Sequence, residues 1–164
     1  MSQENVGGKE DALQMEFIRQ EYFHLQEAVE KFDEKELVIK GWSVTLSMGG
    51  IGVAFLRGAS ELCLLSAAAA LLFWYVDALW KCFQQAFYFR IRTIEDYMHG
   101  DLKEPFVFPA IYHSWGYGWR KTSMNRVFFW SHVALPHVAV VIFGILLWIL
   151  SFLGFPLFSP TQPN

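Results

Sequence analysis

The chain has 164 residues, room for one domain, and 54% of them are apolar, against ~45–50% in an average soluble domain. A net charge of −3 excludes any general electrostatic attraction to nucleic acid or anionic lipid. The two cysteines, Cys63 and Cys82, form no second pair, which excludes a disulfide framework or a zinc motif and leaves two buried thiols.

Distribution says more than totals. Ten of the sixteen acidic residues lie between Glu4 and Glu36, and no Lys, Arg, Asp or Glu occurs from Val133 to Asn164. This predicts an all-α integral membrane protein with three transmembrane helices and a cytoplasmic amphipathic helical stalk. The first 35 residues are acidic and polar, unlike a signal peptide, so the first span is expected to direct insertion.

Residues 1–11 read as a disordered N-terminus. Residues 12–36 read as a cytoplasmic amphipathic helix, because Met15, Ile18, Tyr22, Leu25, Val29 and Phe32 recur at alternating spacings of three and four. Glu27 and Lys31 stand at a favourable spacing of four. The stripe packs either on its own chain or, as a coiled coil, on another subunit.

Residues 37–99 read as a transmembrane hairpin with a cytoplasmic helix extension. The first span, Leu37 to Leu56, matches a hydrocarbon core ~30 Å thick. Lys40 is expected to snorkel to the headgroups, and Trp42 marks the interface. Gly49, Gly50 and Gly52 offer a small-residue face for close helix packing, and Ala67 and Ala68 offer another on the second span, Leu62 to Trp80. Three glycines exceed what one hairpin contact requires, so Gly50 is expected to meet a second subunit. No Gly or Pro follows until Gly100, so the second helix should leave the bilayer. Its stripe of Phe87, Ile91 and Ile94 should pack against the stripe of the N-terminal helix, forming the stalk.

Residues 100–126 break helical periodicity with Pro105, Pro109, Gly116 and Gly118 and are crowded with aromatic rings. They read as an ordered cytoplasmic or interfacial loop, with short helices or a ligand contact as alternatives. Residues 127–158 read as the third transmembrane segment and residues 159–164 as an external tail. Counting Lys40 at the entry of the first span with the segment before it, Lys and Arg number five there, seven between the second and third spans, one (Arg57) between the first and second, and none after the third. The bias of twelve to one places the N-terminus in the cytoplasm and the C-terminus outside a cytoplasmic (inner) membrane.

Few residues suggest chemistry. Asp77 is the one carboxylate inside a predicted span. It is either a pore or interface residue or is neutralised by Lys81 at the next turn. His132 and His137 are five apart, off the spacing of helical metal ligands, and His137 is an ordinary half-polar ring near the bilayer edge. Arg90, Arg92, Arg120 and Lys121 are the candidates for an anion or partner contact. The plainer reading of Arg90 and Arg92 is a face neutralised by Glu95 and Asp96. There is no phosphate loop or nucleophile elbow, so no enzymatic activity and no cofactor are expected.

An acidic N-terminal helix, a two-span hairpin and a returning helix with the run R-I-R-x-I-x-x-Y at Arg90 to Tyr97 resemble small prokaryotic transmembrane effectors of antiphage defence. These are the SLATT-type and retron-associated membrane proteins, and the likeness covers Glu16 to Tyr97. It implies a toxic, non-enzymatic, homo-oligomeric protein that permeabilises the inner membrane when a cytoplasmic protein partner releases it, without direct nucleic-acid binding. The alternative is an anchor or scaffold subunit for a cytoplasmic partner, and a small transporter or membrane enzyme ranks last.

Overall fold

Helices form where the apolar residues recur every three to four positions, and the two longest stop where glycine takes a positive φ. The computed structural model describes residues 3–101, 106–107 and 110–158. Among them run five helices: α1 (Gln3–Arg57), α2 (Glu61–His99), α3 (Ile111–Lys121), α4 (Met124–Phe128) and α5 (Ser131–Phe152). Helix α1 ends at Gly58, with φ +68°, where the Ala59 N–H donates to the Ala54 carbonyl at 3.0 Å. Helix α2 ends in the same way at Gly100, with φ +78°, where the Asp101 N–H donates to Asp96 at 2.9 Å. This is the glycine-centred close that satisfies a helix's last carbonyls.

Three helices are long and apolar enough to cross a membrane: Ala12–Arg57 of α1, Glu61–His99 of α2 and Ser131–Phe152 of α5. Helix α1 begins at Gln3, inside the stretch read from sequence as disordered. Met1 and Ser2 lie outside the described residues, as do 102–105 and 108–109 of the predicted loop and the predicted tail at 159–164. The rest of the loop is more helical than its Gly and Pro content implied, since α3 occupies Ile111–Lys121.

The chain divides into two compact units rather than one. The first comprises Met1–Asp33 and Cys82–Ser123. In it the two stripes read from the sequence meet: Ile18, Leu25 and Val29 of α1 are buried with Ile91 and Ile94 of α2, and Tyr22 and Phe87 pack against them. Phe32 lies 5.7 Å from Phe87, ring centre to ring centre. Met15 and Met98, at the ends of the two stripes, remain exposed. Gln84 donates to the Val29 carbonyl at 3.0 Å and to Asp33 at 2.8 Å, adding polar ties between the two helices beside the apolar cluster. Helix α3 lies against α2 through Trp119, stacked on Phe83 at 4.9 Å. Gly118 permits this approach, since a Cβ there would stand 2.5 Å from the Ala86 carbonyl oxygen. On the surface, Lys31 pairs with Glu27 at 2.6 Å, and this hydrogen bond holds the Glu27 carboxyl below its ordinary pKa.

The second unit comprises Glu34–Lys81 and Met124–Asn164, and it is partitioned the opposite way to a water-soluble protein. Its buried side chains include Glu36, Ser43, Ser47, Ser66, Asp77, Lys81 and His137. Its exposed ones include Leu56 at 80%, Leu72 at 70% and Phe152 at 79%. Water would reverse that preference, so the surface suits a hydrocarbon solvent. Two apolar clusters close the unit. One joins Ile51 and Ala54 to Cys63 and Leu147. The other joins Trp74 and Ala78 to Val133, with the Trp74 indole N–H donating to the Phe128 carbonyl at 2.9 Å.

Candidate functional site

Spacings of four, three and four put Glu36, Lys40, Ser43 and Ser47 on one face of α1. Asp77 and Lys81, four apart, face them from α2, and His137 enters from α5 one residue after Pro136. Together they make a chain of charge and hydrogen bonds. Lys81 Nζ stands 3.1 Å from Glu36 Oε1, and Lys40 Nζ stands 3.4 Å from Glu36 Oε2. Lys40 Nζ is also 3.1 Å from Asp77 Oδ2. His137 Nε2 lies 3.3 Å from Asp77 Oδ2, and His137 Nδ1 lies 2.8 Å from Ser43 Oγ.

Burial makes these contacts matter. Asp77, His137 and Ser43 are 0% exposed, and Lys40 is the most open member, with 18% of its side chain exposed. Each of the two carboxylates has a lysine ammonium within 3.1–3.4 Å. An isolated buried charge costs several kcal/mol, and pairing of this kind is what makes burial tolerable. An ionised Asp77 draws the Nε2 proton of His137 into a hydrogen bond, which leaves Nδ1 to accept the Ser43 hydroxyl. Ser47 Oγ, one turn further along α1, is buried without a protein partner.

The structure redistributes the sequence candidates. Asp77 is buried, but its partners are Lys40 and His137 rather than Lys81, and Lys81 reaches Glu36 instead. Lys40 turns inward to these carboxylates rather than outward to headgroups. Glu36 and Ser43 were not singled out, and His137, read as an ordinary half-polar ring near the bilayer edge, is fully buried between Ser43 and Asp77. The recurrence of Glu36, Lys40, Ser43 and Ser47 on one helical face was the available signal.

The glycine patch divides. A Cβ on Gly50 would collide with Ser66 Oγ, so this residue, expected from sequence to meet a second subunit, packs against α2 of its own chain. Gly49 and Gly52 face open space. Ala67 is buried beside Gly144 of α5, whereas Ala68 is exposed and takes no part in that packing. Gly50→Leu should therefore reduce the protease-resistant monomer in detergent, while Gly49→Leu should leave it unchanged. Equal sensitivity of the two would contradict this division of faces.

Arg90 leaves the set of anion candidates. Its Nε and Nη2 donate to Glu21 Oε1 and Oε2 at 2.7 and 2.9 Å, it is 3% exposed, and it lies 4.8 Å over the Phe106 ring. Its Nε/Nη2 edge is committed to Glu21 and its face to Phe106. Arg92, Arg120 and Lys121 are exposed, with Lys121 over the Tyr117 ring at 5.5 Å.

Neither family models, nor curated proteins, nor solved structures match this chain. The functional reading therefore rests on the residues themselves. Among the described residues, no three His, Cys, Asp or Glu side chains group as a metal site.

Proposed function

We propose that this chain is a multi-pass protein of the cytoplasmic membrane that raises the membrane's permeability to small ions without catalysing a covalent reaction. The observation that carries this reading is the chain of ionisable side chains Glu36, Lys40, Asp77 and His137, buried among helices apolar enough to span a bilayer. Ionisable side chains at membrane depth are expensive, and where they occur they commonly serve ion or proton movement. The resemblance of Glu16 to Tyr97 to antiphage membrane effectors supplies a setting, in which oligomerisation and a cytoplasmic trigger would control permeability.

The test is flux through the full-length protein in lipid vesicles. Asp77→Asn keeps the shape and removes one charge. It should cut the flux by roughly tenfold or more, as the loss of a charged hydrogen-bond partner worth ~1.5–3 kcal/mol implies. Unchanged flux in a folded variant would return Asp77 to a purely structural role. Orientation has its own test. A reporter active only outside the cytoplasm should work when fused after Asn164 and stay silent when fused after Gly100, and activity at Gly100 would refute the three-span topology.

One observation favours a second reading, an anchor for a cytoplasmic partner. The first unit bears a groove of about 430 Å³, lined by Met15, Ile18, Phe23 and Met98 with Arg19 and Glu95 at its polar edge. Stable co-purification of a soluble protein without ion flux would favour that role.

A further inference from the structure

The buried polar groups of the second unit do not end at His137. The face of α1 that carries Glu36, Lys40 and Ser43 continues to Ser47 and Gly50. Ser47 is 1% exposed and its hydroxyl has no protein partner. A buried hydroxyl of that kind calls for a bound water. At Gly50 the absent side chain leaves room for Ser66 Oγ, on a residue 5% exposed that donates to the Leu62 carbonyl at 2.9 Å. From residue 36 to residue 50 is about 21 Å of helix axis at ~1.5 Å per residue, most of a hydrocarbon core ~30 Å thick. A seam of polar groups thus follows one helical face for most of a bilayer's depth.

We infer that this seam is a proton path, with His137 as the shuttle between Ser43 and Asp77; the inference rests on the permeability reading and names the species that moves. Charge balance separates protons from other cations. Glu36 and Asp77 are each held by an ammonium group, so neither carboxylate stands open to an entering metal cation, which would have to displace a lysine to replace its hydration shell. A proton needs only neighbouring donors and acceptors. His137 has the required form, one ring nitrogen on the Ser43 hydroxyl and the other on the Asp77 carboxylate.

The transfer balances. A proton arriving on water at the Ser47 side passes to Ser43 as Ser43 gives its own hydroxyl proton to His137 Nδ1, leaving a neutral water, a neutral serine and an imidazolium. The imidazolium passes its Nε2 proton to Asp77 Oδ2, which leaves a neutral ring and a neutral carboxyl. The carboxyl releases the proton to water around Lys40, the most open member of the chain, and the ring regains its first tautomer by giving its Nδ1 proton to that water and taking one from it at Nε2 before both hydrogen bonds re-form. One proton enters and one leaves. The groups facing His137 are Asp77 from α2 and Ser43 from α1, with Lys40 behind Asp77; α5 itself carries no Lys, Arg, Asp or Glu.

The experiment uses the full chain in vesicles of phosphatidylethanolamine and phosphatidylglycerol, with a trapped pH dye and, in parallel, a trapped potassium dye. Protons should pass and potassium should not. Ser47→Ala, which removes one oxygen that no protein group holds, should slow proton flux roughly tenfold, the worth of one hydrogen-bonded link. Ser47→Thr, which keeps the hydroxyl, should retain the flux. His137→Asn should abolish it, and the Ser47 pair decides the matter if that variant does not fold. Equal passage of potassium and protons, or wild-type proton flux in Ser47→Ala, would overturn the proton path while sparing the permeability reading. Vesicles tight to both ions would overturn the permeability reading and the path with it.

Discussion

Arg90→Met should destabilise the first unit by about 3–5 kcal/mol, the range for stripping one partner from a buried ion pair. The remaining Glu21 carboxylate is 8% exposed, and both of its oxygens would lose the guanidinium hydrogen bonds at 2.7 and 2.9 Å. The stacking of Arg90 over Phe106 would be lost as well. The double variant Glu21→Met with Arg90→Met should recover most of that loss, because two apolar side chains of similar volume leave no orphaned charge. Thermal unfolding in detergent, followed by tryptophan fluorescence from Trp115 and Trp119, would read the difference. A single variant as stable as the parent would mean that the pair is not buried as described.

The second large effect is expected at Gly144. A Cβ there would stand 2.9 Å from the Cys63 carbonyl oxygen and 3.4 Å from the Ala67 methyl group. The first obstacle is backbone, which cannot rotate aside. Gly144→Leu should force α5 away from α2 and cost at least the ~1–3 kcal/mol typical of overpacking. In a bilayer the effect is sharpened, because lipid competes for apolar surface and close packing is what holds spans together. The same displacement would draw His137 away from Asp77 and Ser43. Both the protease-resistant fold and ion flux should therefore fall, whereas a folded variant with normal flux would show that α5 tolerates the separation.

Local patterns were readable in the sequence. Ile18, Leu25, Val29, Ile91 and Ile94 lie in one buried cluster because apolar spacing of three and four specifies a face. The positions of Gly58 and Gly100 marked helix ends for a conformational reason that needs no tertiary information. Partner choice was less accessible. The i, i+4 rule offered Asp77 the nearest cation on its own helix, yet α1 brings Lys40 and α5 brings His137 closer. Only the packing of three helices decides such a competition. Arg90 and Arg92 look equivalent in a list of cations. On a helix, however, Arg90 follows Phe87 by three positions and precedes Ile94 by four, while Glu21 sits between Ile18 and Leu25. Charge set into an apolar stripe on both helices was a sign of an internal pair. His137 had no such sign, because α5 is apolar around it and its acceptor and donor come from distant parts of the chain.

The pairing of Lys40 with Asp77 also bears on how the chain would enter a membrane during synthesis. Each residue alone would penalise its own helix by ~2.5–3.5 kcal/mol at the bilayer centre, less near the edge. If α1 partitioned first and by itself, Lys40 would wait without its carboxylate until α2 emerged from the ribosome. The short turn at Gly58 brings the two helices to the insertion machinery almost together, so that the salt bridge can form before either is released to lipid. His137 arrives only with α5, after the Lys40–Asp77 pair has had time to form.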